Sequence, residues 1–297
     1  MAIENSQIRV AGNIRAFSAG FTLIEFLVAI GILAILLGII LPYLVMVRED
    51  ASRTECAAHL GQIGEALQHY AHDGLPLPET RYDPLPKPTG YVAFTGVDDP
   101  KSVQPNDITA SIWLLVRYGY VKDPATFICP STRDWPDRLT DAQSQPVSAV
   151  RRGNFRSFRN LSYSYASPFT NAFNMKFSMD LPAEFAVMAD KNPGYDTDDD
   201  RVLGPPRDAP PFVLAVGNSP NHQRAGQNVL HPDGAVSFES TPYCGVSGDN
   251  IYTVLAPQRL TAVHPQLDAP GFIGINLGPA YNYDSYLVPT ATDPWEK

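Results

Sequence analysis

His222 and Asp233 are of the types that form an acid–base pair, an imidazole oriented by a carboxylate. A nucleophile would have to complete them. Serines are plentiful, but Gly245-Val246-Ser247-Gly248 falls one residue short of a GxSxG elbow. The structural reading fits the surroundings better. Asn221, His222, Gln227 and Asn228 can satisfy buried backbone groups, and Asp233-Gly234 makes a turn. No catalytic residue is assigned, and the chain is not expected to be an enzyme. Asp196, Asp198, Asp199 and Asp200 offer oxygen ligands at alternating spacing, which suits Ca2+. That run lacks the glycine and distal glutamate of an EF-hand, so a solvated acidic loop competes with calcium at Asp196, Asp198 and Asp200. Asp190 and Asp249-Asn250 are alternative donors. No other cofactor is expected.

The cysteines are Cys56, Cys129 and Cys244. No CxxC pair exists, which argues against a zinc ribbon or a thioredoxin-type site. An odd number suits one disulfide plus one free thiol if the chain is exported. The last residue of chemical interest is Glu25, a carboxylate at the start of a long apolar run. An ionisable group there is costly and asks for a partner.

Composition narrows the class. The net charge is -9 and the pI about 5.1, against the clustered Lys and Arg that nucleic acid requires. The one basic stretch, Arg151-Arg152 with Arg156 and Arg159, reads as a solvated loop. With 28 prolines and 21 glycines, turns and loops are expected to be many.

From Phe26 to Val47 no charged residue occurs, roughly 22 residues or ~33 Å of helix, enough to cross a bilayer core. A Sec signal peptide would have a shorter apolar core followed by a small-residue cleavage site. A plain signal anchor fits the length and leaves Glu25 unexplained. Ser18-Ala19-Gly20-Phe21-Thr22-Leu23-Ile24-Glu25 resembles the signal of type IV pilin-like and type II secretion pseudopilin-like proteins. The resemblance implies cleavage by prepilin peptidase between Gly20 and Phe21 and N-methylation of Phe21. Glu25 then becomes the fifth mature residue, the family's assembly glutamate, and Pro42 the twenty-second, where many pilins also carry proline. It implies as partners the peptidase, other pilin or pseudopilin subunits and the inner membrane, crossed once with the head outside the cytoplasm, in the periplasm or on a filament or cell surface. A carboxylate also suits a helix N-terminus, where the macrodipole favours it. Removing Glu4, Arg9 and Arg15 with the leader makes the side-chain charge one unit more negative than -9.

Beyond Val47 the sequence turns charged, and Cys56, Leu60, Ile63, Leu67 and Tyr70 form one helical stripe. The helix is expected to end near Asp73-Gly74, before Pro76 and Pro78. The organisation is thus a leader 1–20, an apolar helical half 21–47, an amphipathic half 48–73 and a head 74–297. Residues 75–105 read as a long connection. Asp107 to Tyr120 reads as a helix capped by Asp107. Residues 134–157 read as a polar surface loop. Strands are expected at 162–167, 185–189, 212–216 and 251–255, with a hairpin at 227–230 and 235–238 around Pro232-Asp233-Gly234. The last 40 residues look loop-like. The fold class is α+β: a long N-terminal helix packed on an antiparallel sheet.

A closer resemblance is to a branch of pilin-like proteins with a His…Asp-Gly ending. It rests on Arg53 to Asp73, Phe127-Ile128-Cys129-Pro130-Ser131, Met188 to Pro193, and Asn221-His222 through Asp233-Gly234. Asp249 to Thr253 also fits. Departures are His59, where Asn is usual, and Ala235, where a His often follows Asp-Gly. Cys56 and Cys129 lie in the resembling segments, which implies a disulfide tying helix to head; free buried thiols are the alternative. The function implied is a structural subunit of a type IV pilus or a secretion pseudopilus. The alternative is a membrane-anchored, non-catalytic binding module, for polysaccharide for example, using Trp113, Trp135 or Trp295.

Overall fold

The computed structural model describes residues 22–82, 99–141, 143–169, 177–195, 202–254, 272–273, 279 and 283–292. Gly20, Phe21, Asp196, Asp198, Asp199, Asp200 and Trp295 lie outside them. The chain divides after Val47 into two compact units. One helix, α1 (Leu23–His72), contributes to both. Its C-terminus is marked by Gly74, whose φ of +80° suits a residue without a Cβ.

Within the first unit, the helical residues carry no charge after Glu25 and their apolar side chains are exposed, Leu23 through Val47. Among the described residues α1 is the one helix long and apolar enough to cross a membrane.

Within the second unit, α1 buries the predicted stripe: Cys56, Leu60, Ile63, Leu67 and Tyr70, with Gly64 and Ala66 between. A Cβ on Gly64 would sit 2.7 Å from Leu230 Cδ1, so the helix lies close against the sheet there. Helix α2 (Ile108–Arg117) starts as expected, with the Asp107 carboxylate accepting from the Ala110 amide at 2.8 Å. The strands are β1 (Tyr163–Ala166), β2 (Met188–Asp190), β3 (Asn192–Tyr195), β4 (Val202–Leu203), β5 (Gln227–Leu230), β6 (Val236–Glu239), β7 (Phe272–Ile273), β8 (Leu287–Val288) and β9 (Thr290–Thr292). Five form an antiparallel sheet in the order β6-β5-β2-β1-β8. The pairs β3–β9, parallel, and β4–β7, antiparallel, lie outside it. The fold is α+β, as the sequence pattern implies.

Several expectations need correcting. The strand expected at 185–189 begins three residues later, because Phe185, Ala186 and Val187 are an apolar approach to β2 rather than part of it. Residues 212–216 fall in a short helix, α3 (Pro211–Leu214), and the 3-10 turn after it; Pro211 supplies a helical φ without needing an N–H. Ile251 and Tyr252 sit in a turn. The C-terminal region supplies β8, an edge of the main sheet, with Tyr286, Leu287 and Val288 buried.

The region read as a polar surface loop is also partly core. Arg152 and Asp137 are buried and paired in a two-bond fork, Nη1 to Oδ1 at 2.6 Å and Nη2 to Oδ2 at 2.8 Å. Arg152 is therefore no solvated base. Its carbonyl accepts from Trp113 Nε1 at 2.9 Å, and Phe155 packs edge-on against Trp113 and Phe127.

Gly226, entering β5, lies against the backbone of β6. A Cβ there would meet Glu239 O at 2.3 Å and the Phe238 ring at 2.8 Å. Neither a carbonyl in a ladder nor a ring packed by neighbours yields easily, so Gly226→Ala is expected to cost about 1–3 kcal/mol. A thermal denaturation midpoint equal to that of the parent would contradict this close approach.

Candidate functional site

Two places carry chemistry, one in each unit. The first is the start of α1. Thr22 and Glu25 form a capping box. The Thr22 amide donates to Glu25 Oε2 at 2.9 Å, its hydroxyl donates to the same oxygen at 2.7 Å, and the Glu25 amide donates back to Thr22 Oγ1 at 3.3 Å. The glutamate thus has an intramolecular task that the sequence reading did not assign. Its signature, Thr-x-x-Glu before an apolar run, was present in residues 22–25. Pro42 stands inside α1.

The second place is a buried cluster in the head. Cys56 comes from the inner stripe of α1, and Cys129 from the extended segment after a 3-10 turn at Pro124–Phe127. Asp190 ends β2. His222 sits in a turn where His222, Gln223 and Arg224 all have positive φ, of 54°, 56° and 61°. Such backbone is costly for residues with a Cβ and needs support from its surroundings. All four side chains are fully buried. One ligand atom from each lies within 4.8 Å of all the others.

Cys56 Sγ donates to Asp190 Oδ1 at 3.1 Å and lies 3.2 Å from the Tyr163 hydroxyl. His222 Nε2 is 3.5 Å from Cys129 Sγ and 3.4 Å from Asp190 Oδ2. The other ring nitrogen, Nδ1, meets Glu49 Oε1 at 2.8 Å, and Ser131 Oγ donates to that same carboxylate. Asn221 Nδ2 donates to Asp190 Oδ1 at 3.0 Å, and the Asn228 amide to Oδ2 at 2.6 Å.

The electrostatics follow from this packing. Burial works to lower the His222 pKa, but the bond to Asp190, then Cys129, outweighs it and raises the imidazole to about 10. A hydrogen bond from Cys56 and another from His222 hold the Cys129 thiol below its usual value, against burial. Burial, first, and the neighbouring Cys129 push the Cys56 thiol well above it.

The remaining candidates fall elsewhere. The disulfide implied for Cys56 and Cys129 is not formed; both are free thiols. Cys56 Sγ also meets Asp190 and Tyr163, and Cys129 Sγ meets His222. Cys244 lies apart, partly buried, 3.7 Å from Pro242 O. The pair His222 and Asp233 is not assembled. Asp233 caps its own turn by accepting from the Ala235 amide at 2.9 Å, while His222 faces Glu49, Asp190 and Cys129. Asp249 accepts from the Ser285 amide at 3.2 Å. Trp113 is buried, and Trp135 is half-exposed on an open groove of about 430 Å³ with Arg138, Thr140 and Arg156. The acidic run at Asp196, Asp198 and Asp200 lies outside the described residues.

Residues 15–41 match the family model of the prokaryotic N-terminal methylation motif. No curated protein and no solved structure matches the chain.

Proposed function

We propose that this chain, whose N-terminal methylation motif indicates a type IV pilin-like protein processed by prepilin peptidase, is a structural subunit of a type IV pilus or a type II secretion pseudopilus. The observation that carries the reading is the motif at residues 15–41 leading into an apolar helix, free of charge from Phe26 to Val47, whose apolar side chains are exposed. A helix of that kind fits a membrane before assembly and a bundle of like helices afterwards. In the assembled state, Glu25 pairs with the methylated amine of Phe21 on a neighbouring subunit. That pairing offsets the cost of burying both charges among apolar helices. The role is non-catalytic, and the engagement of His222 with buried partners, away from Asp233, supports that part of the reading.

Co-expression with a prepilin peptidase is expected to shorten the chain by residues 1–20, leaving N-methylated Phe21 in the mass spectrum of the product. An unshortened product overturns the proposal. A second reading, a polysaccharide-binding module on the same anchor, is favoured by Trp135 and its groove. There an aromatic face lies beside the hydrogen-bonding side chains of Arg138, Arg156 and Asn160. Trp113, fully buried, does not contribute to it.

A further inference from the structure

We propose that Cys56, Cys129, Asp190 and His222 form a structural Zn2+ site that joins four segments of the head. The donor set is two sulfurs, an imidazole nitrogen and a carboxylate oxygen, a combination that suits zinc and not the hard cations Ca2+ and Mg2+. For tetrahedral Zn2+ with bonds of ~2.0–2.3 Å, adjacent ligand atoms are separated by roughly 3.3–3.8 Å. The structure gives 3.5 Å for Cys129 Sγ to His222 Nε2, 3.4 Å for His222 Nε2 to Asp190 Oδ2 and 3.1 Å for Cys56 Sγ to Asp190 Oδ1. One donor atom from each of the four side chains lies within 4.8 Å of all the others, so the four are already gathered around one small volume.

The neighbours are those a zinc ligand needs. A metal-bound histidine characteristically gives its second ring nitrogen to a carboxylate, which fixes the tautomer and aims the ring. Glu49 does this at His222 Nδ1, at 2.8 Å, and Ser131 steadies Glu49. Nε2 is left facing Cys129 Sγ at 3.5 Å and Asp190 Oδ2 at 3.4 Å, with the Asn228 side-chain amide at 3.2 Å. Asn221 and the Asn228 amide hold the Asp190 oxygens, and Tyr163 reaches Cys56 Sγ. His222 itself holds left-handed backbone, at the start of the run that continues through Gln223 and Arg224.

Charge makes the same case. Among the described residues, the only basic group within salt-bridge range of Asp190 is His222. A carboxylate and two thiols at zero exposure face one another there, with the His222 imidazole as their basic neighbour. Zn2+ takes the place of the protons these groups hold, releasing to solvent both thiol protons and the proton on His222 Nε2 as the Zn–S and Zn–N bonds form. With four protein ligands and no exposed member, the site has no open position for substrate, so its task is folding. It ties the stalk helix at Cys56 to the Cys129 segment, to β2 and to the His222 turn.

The test uses the full chain, solubilised in detergent and purified without chelator. Elemental analysis is expected to find one Zn2+ per chain. Co2+ in its place should give a thiolate-to-cobalt charge-transfer band and tetrahedral visible bands. Removing the metal with a chelator should lower the melting midpoint of the unmutated protein by roughly 10 °C. Cys244→Ser should keep full occupancy. Cys129→Ser and His222→Gln should lower Zn2+ affinity at least 10-fold, and Cys129→His, which restores a ligand, should recover part of it. The proposal is overturned by a chain that takes up neither Zn2+ nor Co2+, by a Co2+ spectrum without thiolate bands, or by a Cys56–Cys129 disulfide in peptides of the native protein. None of these readouts depends on cleavage or assembly, so they stand apart from the fate of the pilin reading.

Discussion

Arg152→Met is expected to destabilise the head by about 3–5 kcal/mol, read as a large drop in denaturation midpoint. The guanidinium is 2% and the Asp137 carboxylate 1% exposed, and the two are joined by two short hydrogen bonds. Removing the cation leaves, among the described residues, a buried carboxylate with the Leu139 and Arg156 amides as its donors. It also withdraws the charge lying 5.0 Å over the Trp113 ring and the bond from Nη2 to Asn154 O. The double variant Arg152→Met with Asp137→Leu should recover much of the loss, because neither charge is then stranded. Equal destabilisation in the single and double variants would show that packing around Trp113, not the ion pair, is at stake. A pH dependence goes with this. Burial works to raise the Asp137 pKa, but the hydrogen bonds from Arg152 and the two amides prevail, and it lies below its ordinary 3.8. The protonated form thus prevails earlier in the unfolded chain than in the folded one. The contribution to stability is complete above 3.8 and is lost as the pH falls through the depressed folded value. Asp137→Asn should lack that part of the acid limb.

The same pair shows where sequence reasoning stops. Arg152 lies in a run of basic residues and polar neighbours, and nothing local distinguishes it from Arg156, which reaches backbone carbonyls at the surface. Its burial is set by Asp137, fifteen positions earlier, and by Trp113 on another helix. By contrast the α1 stripe was legible because period and burial coincide within one element: Cys56, Leu60, Ile63, Leu67 and Tyr70 all turn inward. The Asp107 cap and the β5–β6 hairpin were legible for the same local reason. Edge strand β8 is two residues of ladder, too short for alternation to mark it.

The buried cluster lies at the far end of that scale. Cys56, Cys129, Asp190 and His222 belong to four separate segments, so no ligand spacing of the CxxC kind announces them. Their types were noticed singly: two cysteines for a bridge, an aspartate as an oxygen donor, a histidine for a triad with the wrong partner. Only the meeting of α1 with β2 and the His222 turn converts them into one site. The closing contacts include one of the departures noted in the sequence. His59 Nδ1 bonds to Ile128 O at 2.9 Å, one residue before Cys129, and so fixes the helix to the segment that carries the second sulfur.

Glu25→Gln is the variant that decides what the N-terminal glutamate does. In the single chain Glu25 closes a capping box with Thr22, a local interaction of about 0.5–2 kcal/mol. In the proposed filament it also carries the charge that meets the Phe21 amine of a neighbour. Glutamine keeps the first task, since its amide oxygen can accept from Thr22, and loses the second. Glu25→Ala loses both, and Thr22→Val removes the box while keeping the charge. Cleavage between Gly20 and Phe21 precedes the helix and should proceed in all three. Filament yield should then fall at least tenfold in Glu25→Gln and Glu25→Ala alike, because an unpaired amine buried among apolar helices costs several kcal/mol. Thr22→Val should assemble with a modest deficit. If Glu25→Gln assembles as well as the parent while Thr22→Val fails, the carboxylate serves the start of its own helix, and the register between subunits must be set by something else.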